Sequence, residues 1–132
     1  MPDATPFRDS PLGRYLGFEA IAIDDEHAVA RLVIQEQHTN PTGAIHGGVL
    51  LALADNLATA MAGRANAGGP NAGKFMVGID LHATMLRNQQ GGSITAEARV
   101  VRAGRRVTVI RTVVAGDDGR ALAEVTTTHI PG

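Results

Sequence analysis

The sequence predicts an α+β fold in which one long helix packs on an antiparallel sheet of six strands. Two strand-like segments lie between Gly17 and Gln35, a run of good helix formers begins near Gly47, and four strand-like segments follow it. The breaks between the last segments are short and contain glycine, as hairpin loops do. Because strands and helices do not alternate along the chain, a doubly wound parallel sheet is not expected.

The first third of the chain predicts a helical turn followed by two strands. The turn comes after Ser10, in the stretch SPLGRYLG, and the two strands are separated by the polar sequence DDEH. The second strand reads AVARLVI, and its alternation is typical of a strand with one buried face. The residues predicted to face the core are Ala28, Ala30, Leu32 and Ile34.

The remaining elements are a central helix, a glycine-rich loop and four strands. The helix is predicted from Gly47 to about Arg64, and its many alanines would let it lie close against a sheet. A loop, GRANAGGPNAGK, follows it. The later strands are rich in β-branched residues and alternate in polarity. Their predicted ranges are 75–86, 93–103, 106–116 and 120–130.

Length and composition restrict the classes of protein that are possible. A chain of 132 residues suits one domain, 1–132, and 12 basic against 13 acidic residues give no general attraction to nucleic acid or to an anionic membrane. The absence of cysteine excludes disulfides and thiolate nucleophiles. The apolar run at 47–62 is too short for a membrane span, and the amino terminus has no secretory pattern. We therefore expect a soluble cytoplasmic protein.

No metal site is expected from the histidines. His27, His38, His82 and His129 have none of the spacings of metal ligands. Each is interpreted as a surface residue or a satisfied core residue, and His82 in a strand is the one singled out for attention.

Asp55 interrupts an otherwise apolar helix. A carboxylate inside such a helix must be paired, hydrogen-bonded or protonated, because an unpaired buried charge is very costly. One interpretation is structural, with Asp55, Asn56 and Thr59 forming a narrow polar stripe that faces solvent. The other is functional, since perturbed carboxylates in clefts are enriched at active sites.

The distance between His46 and Asp55 has a consequence for assembly. Nine helical residues rise about 13.5 Å and turn about 900°, so the two side chains lie far apart on opposite faces. They could act on one substrate only if a second copy of the helix lay alongside, roughly antiparallel. The spacing therefore favours a two-fold dimer with shared sites.

The start of the helix offers hydrogen-bond donors. Free N–H groups are expected at Gly47, Gly48 and Val49, with the positive end of the helix dipole behind them. Glycine allows a ligand to approach this backbone, which could polarise a carbonyl, and Asn40 and His46 could add donors. The alternative is that His46 is only a helix-entry residue and that the glycines serve close packing. A carbonyl held here and facing a carboxylate is an arrangement for hydrolysis.

The spacing Asn40-x-x-Gly43-x-x-His46-Gly47-Gly48-x6-Asp55 resembles that of the hotdog-fold acyl-CoA thioesterases of the PaaI type. The resemblance extends to LGFEA, GIDLHATMLR and the tail VVRAGRRVTVIRTVV…GRALAEVTTT. It implies a helix wrapped by a six-stranded sheet, and homodimers that commonly pair into tetramers. It also implies that no cofactor is needed, because coenzyme A is part of the substrate.

The resemblance implies a role for each residue of the motif. Asp55 would act as nucleophile or as general base toward water, and the Gly48 N–H would polarise the thioester carbonyl. Asn40 and His46 of the opposite subunit would position the thioester or the water. Several relatives carry a serine or threonine early in the third strand where this chain has Gly78, so the hydroxyl of Thr59 would take that part.

The expected activity is hydrolysis of an acyl- or aroyl-CoA thioester. Two alternatives are a hotdog dehydratase or hydratase and a non-catalytic module that binds acyl-CoA. The phosphates of coenzyme A call for basic side chains near the cleft, with Gly47 close to the ligand. Arg105 and Arg106, in a predicted hairpin turn, are preferred; the other candidates are Arg64, Lys74, Arg87 and Arg102. Each of these could instead be a solvated surface charge.

Overall fold

A computed structural model describes residues 10–132, and the first nine residues of the predicted domain lie outside it. The order of elements matches the prediction. A short 3-10 turn at Glu36–His38 is the one addition among the described residues. The bounds are α1 Pro11–Leu16, β1 Glu19–Ile23, β2 His27–Val33, α2 Gly47–Ala65, β3 Met76–Met85, β4 Ser93–Ala103, β5 Thr108–Ala115 and β6 Ala121–Pro131.

The six strands form one antiparallel sheet in the order β1-β2-β4-β5-β6-β3. The helix α2 packs on one face of this sheet and contacts five of the strands. This arrangement confirms the predicted α+β class and the hotdog architecture. Neither α1 nor α2, the α-helices of residues 10–132, is long and apolar enough to cross a membrane.

The core lies between α2 and the inner face of the sheet. Every second residue of β2 and β5, and of β4 as far as Ala98, is buried, as the predicted alternation requires. Alanines at three fully buried helix positions let the helix backbone approach the strands closely, and larger side chains fill the space around them. The buried helix residues are Leu50, Leu53, Ala54, Leu57, Ala58, Met61 and Ala62.

The edge strand β3 is apolar and yet largely exposed in the single chain. Val77, Ile79, Leu81 and Met85 expose 38%, 56%, 40% and 47% of their surface. An edge strand offers unpaired backbone groups, and an apolar one is a ready surface for association with another chain.

Two asparagines hold the segment that follows α2 against the sheet. The buried Asn66 Nδ2 donates to the Ala62 carbonyl at 2.8 Å and to Thr108 Oγ1 at 3.0 Å. Asn71 Nδ2 donates to the Arg105 carbonyl at 2.8 Å, in the turn between β4 and β5. The segment is thereby tied to β5 and to the hairpin before it.

We expect Asn66→Ala to lower the free energy of unfolding by about 1–3 kcal/mol, because it leaves the buried Thr108 hydroxyl without its partner. Urea denaturation of the purified protein measures this. Asn88→Ala, at an exposed position, is the control and should change stability by less than about 0.5 kcal/mol. Equal stability of the two variants would contradict the structural role of Asn66.

Candidate active site

A cleft of about 430 Å³ opens beside α2, and Asp55 and Thr59 lie on its wall. These residues are one helical turn apart on the helix face that the sheet does not cover. Lys74 and Met76 also line the cleft. The helix is largely buried, as predicted. Asp55 itself is exposed in the single chain, so the expectation of a buried carboxylate is wrong here. It lies on the polar stripe that also carries Asn56.

The start of α2 differs from the expectation of three free N–H groups. His46 is the N-cap residue, and its Nδ1 accepts a hydrogen bond from the Gly48 N–H at 3.0 Å. The Val49 N–H donates to the His46 carbonyl at 2.9 Å. Two of the three groups are therefore already bonded, because the cap folds back over the first turn. The His46 ring must rotate away before the Gly48 N–H can meet a ligand.

The packing around the two glycines leaves little room for a larger residue at the start of the helix. A Cβ at Gly48 would lie 3.2 Å from His46 Nδ1, and one at Gly47 would lie 3.1 Å from the end of the Met85 side chain. Both distances are tighter than ordinary contacts. Both neighbours are exposed side chains that can shift by a few tenths of an ångström, so these contacts do not decide between close packing and a role toward a ligand.

The loop before α2 is a closed turn built on Asn40. Its Oδ1 accepts hydrogen bonds from the Thr42 N–H at 2.9 Å and the Thr42 hydroxyl at 2.6 Å. Gly43 closes the turn with a φ of 88°, a value that favours glycine, and its N–H donates to the Asn40 carbonyl at 2.9 Å. The side-chain oxygen of Asn40 is thus used within the loop, which leaves the amide nitrogen as the donor for a ligand.

The predicted site residues fall into two groups within one chain. Asp55 and Thr59 lie in the cleft, whereas Asn40, His46, Gly47 and Gly48 lie at the amino-terminal end of α2 and do not line it. This agrees with the separation expected from helix geometry. The chain alone holds two halves of the predicted constellation rather than a complete one.

His129 is a polar residue near the cleft that sequence reasoning did not identify. It is fully buried on β6, pairs with Gly78 of β3, and its Nε2 lies 2.8 Å from Thr127 Oγ1. Burial lowers the pKa of His129 below its ordinary value, and the Met76 backbone and the Asp55 charge oppose part of this shift. The sequence did contain one signal: His129 lies two residues after Thr127 on β6, so both side chains point to the same, buried face of the strand.

The other histidines differ from His129. His82, the one singled out from sequence, is exposed on β3. His38 is buried but satisfied, since its Nδ1 accepts from the Gln35 N–H at 2.8 Å and its Nε2 lies 2.6 Å from the Leu16 carbonyl. Among residues 10–132, no three His, Cys, Asp or Glu side chains are grouped as metal ligands would be.

The basic candidates are divided between two places. Arg64 and Lys74 line the cleft with Asp55, and Arg64 Nε is 3.0 Å from Asp25 Oδ1. Arg105 and Arg106 are exposed in the turn between β4 and β5, where they border a separate concavity. Within one chain the preferred arginine pair is therefore outside the Asp55 cleft.

Comparisons with known proteins point to one family. The family model described as the thioesterase superfamily matches residues 42–123, which include His46, Asp55 and Thr59. A Pseudomonas aeruginosa protein named for a proposed esterase activity is 31% identical over 122 residues, covering 91% of this chain and 82% of the relative. The 1,4-dihydroxy-2-naphthoyl-CoA hydrolase of Listeria monocytogenes is 30% identical over 94 residues, covering 71% and 73%.

Solved structures give the same result. A thioesterase from Haemophilus influenzae superposes with a TM-score of 0.82 at 25% identity, over 90% of this chain and 80% of that one. The PaaI protein from the phenylacetic acid degradation operon of Escherichia coli superposes with a TM-score of 0.83 at 23% identity, over 94% and 86%. The second likeness concerns the fold alone.

We expect His46→Ala to release the Gly48 N–H and to lower the free energy of unfolding by about 0.5–2 kcal/mol, because the helix loses its capping acceptor. Amide hydrogen exchange at Gly48 should become faster. His46→Asn is the matched control, since asparagine is a favoured N-cap residue and should keep most of the stability. Unchanged exchange at Gly48 in His46→Ala would count against the cap.

Proposed function

The chain belongs to the thioesterase superfamily, and from that premise we propose that it hydrolyses an acyl- or aroyl-CoA thioester to a free acid and coenzyme A. One observation carries the proposal: a carboxylate, Asp55, stands in a cleft on the open face of an otherwise buried helix. Such a group can act on a carbonyl carbon or on a water beside it. An acyl-CoA thioester supplies that carbonyl.

We assign the reacting carboxylate to Asp55 and an orienting hydroxyl to Thr59. Asp55 either attacks the thioester carbon or takes a proton from the attacking water. Thr59 lies one turn further along the same wall of the cleft, so its hydroxyl can bind the same water or the thioester.

We assign polarisation of the carbonyl to the Gly48 N–H. The positive end of the helix dipole lies behind it and stabilises the negative charge that develops on oxygen. In the absence of substrate this N–H donates to His46 Nδ1. When the substrate binds, its carbonyl oxygen must replace His46 Nδ1 as the acceptor. The displaced His46 ring and the free Asn40 amide nitrogen are then available to position the thioester.

We propose that each complete site contains residues of two chains. The separation of Asp55 from the helix start in one chain supports this. The apolar edge of β3 supplies a surface on which two copies can associate. Pairing of such dimers into a tetramer, and a cytoplasmic location where acyl-CoA occurs, stay predictions.

We assign the phosphates of coenzyme A to the exposed pair Arg105 and Arg106, with Lys74 at the mouth of the Asp55 cleft. Arg64 is less available, because Asp25 already binds it. For the acyl group we propose an aromatic or aliphatic acid. The naphthoyl-CoA thioester in the name of the Listeria relative supports an aroyl group.

We expect Asp55→Asn to lower thiol release from a panel of acyl- and aroyl-CoA thioesters by about 100-fold or more, the scale of a positioned base or nucleophile. Asp118→Asn, an exposed acid in the turn between β5 and β6, is the control and should keep wild-type activity. Binding of a non-hydrolysable CoA analogue should persist in Asp55→Asn. No release by the wild type on any thioester, together with tight binding, would favour a binding module instead.

A shared site predicts complementation between two inactive chains. Asp55→Asn and Asn40→Ala should each be nearly inactive alone, because each spoils one half of every site. Unfolded together at equal amounts and refolded, they should recover about a quarter of wild-type activity, since half of the dimers are mixed and each mixed dimer holds one intact site. Refolded mixtures without recovered activity would mean that both halves come from one chain.

A further inference from the structure

A polar atom of His129 is buried, unpaired and close to the proposed catalytic carboxylate. Its Nε2 has a partner in Thr127 Oγ1, at 2.8 Å. Its Nδ1 makes no hydrogen bond of ordinary geometry among residues 10–132, although the Met76 backbone lies near enough to the ring to raise its pKa. Nearly all buried polar atoms in proteins are satisfied, so each exception needs an explanation. The function proposed above gives His129 no part.

The missing side chain of Gly78 defines a space between His129 and Asp55. A Cβ at Gly78 would lie 3.7 Å from Asp55 Oδ1 and 3.8 Å from His129 Nδ1. The carboxylate oxygen and the unpaired nitrogen thus border the same point and are at most about 7.5 Å apart. Two hydrogen bonds that meet at one water oxygen span up to about 5.6 Å, a separation that the two distances from the Gly78 position permit.

We propose that His129 Nδ1 and Asp55 together hold the water that attacks the thioester, in the space over Gly78. This inference rests on the hydrolase function proposed above and deepens it, because it makes Asp55 a general base. The proposal takes the tautomer that donates Nε2–H to Thr127, in which Nδ1 accepts one hydrogen of the water and Asp55 accepts the other. A lone pair of the water oxygen is then left to attack the carbonyl carbon.

The step balances without any further reactant. The water oxygen bonds to the thioester carbon, its proton passes to Asp55, and the carbonyl electron pair moves onto the oxygen. Collapse of this intermediate breaks the carbon–sulfur bond, and the leaving sulfur takes the proton from Asp55. The second hydrogen of the water stays on the product acid, so His129 positions the water and does not exchange a proton.

The surroundings of His129 keep it in the neutral form that this role requires. Burial lowers its pKa below the ordinary value of about 6.5. The neighbours across the sheet, Gly78 on β3 and Thr108 on β5, are uncharged, as is Thr127 on its own strand. Within residues 10–132, Asp55 on α2 is the charged group that acts on it.

The first test compares two variants that each remove a buried, unpaired polar atom. His129→Leu should lower kcat about 10- to 100-fold, the worth of one hydrogen bond to a reacting group, with KM little changed. Thr112→Val, which removes an unpaired hydroxyl elsewhere in the core, should leave kcat unchanged. Wild-type kcat in folded His129→Leu would overturn the proposal.

The second test fills the space and leaves His129 in place. Gly78→Ala adds a methyl group at ordinary contact distances from both groups, so the fold should persist while the water is excluded. We expect kcat to fall at least about tenfold. Gly68→Ala, where a Cβ meets nothing within 4 Å, is the matched control. Equal kcat in both alanine variants would also overturn the proposal, even if His129→Leu fails to fold.

The third test measures the coupling of the two groups without turnover. In an NMR titration of the His129 ring, Asp55→Asn should lower the pKa of His129, because the carboxylate charge stabilises the protonated ring. Asp118→Asn should leave that pKa unchanged. A wild type that hydrolyses no thioester but shows this coupling would refute the proposed function, whereas an active wild type with no coupling would refute only the part given to His129.

Discussion

The close contact between α2 and the inner face of the sheet is the constraint on which the rest of the structure depends. Ala54, Ala58 and Ala62 are fully buried and bring the helix backbone near the strands. A helix packed in this way keeps one narrow face away from the sheet, and Asp55 and Thr59 lie on that face. The carboxylate is therefore positioned by the core itself. Its place on the helix cannot change unless the helix unpacks, which is part of the support that a reacting group needs.

The same helix also separates the parts of the site. Its first turn carries the donors and its middle carries the carboxylate, about 13.5 Å further along the axis. Shortening the distance within one chain would require a different fold, whereas a second chain needs only a surface on which to associate. The exposed apolar edge of β3 is such a surface. The proposed association would cover apolar side chains and complete the site, so activity and stability would both depend on protein concentration.

Most of the fold was predictable because its periodic signals are strong. The alternation in β2 and β4 and the alanine-rich helix gave element types and bounds that agree with the structure to about two residues. Asp55 and His46 stood out because each breaks a pattern. The hydrogen bond from Gly48 to His46 Nδ1 was not predictable, because it depends on a side-chain rotamer. His129 was missed because the stretch TTTHI has little contrast in polarity, and because its proximity to Asp55 depends on tertiary packing.

The burial of His129 is difficult to explain by packing alone. An apolar side chain of similar size would fill the same volume without leaving Nδ1 unpaired, an omission that costs about 1–3 kcal/mol. The imidazole adds a second cost. Because burial lowers its pKa in the folded chain, the unfolded chain binds a proton first as the pH falls below about 6.5, and stability is lost in that range. Thr112 carries the first cost but not the second, since its hydroxyl does not titrate. The unpaired nitrogen and the lowered pKa both destabilise the fold at His129, so this residue serves something other than stability. It lies on the other side of Gly78 from Asp55.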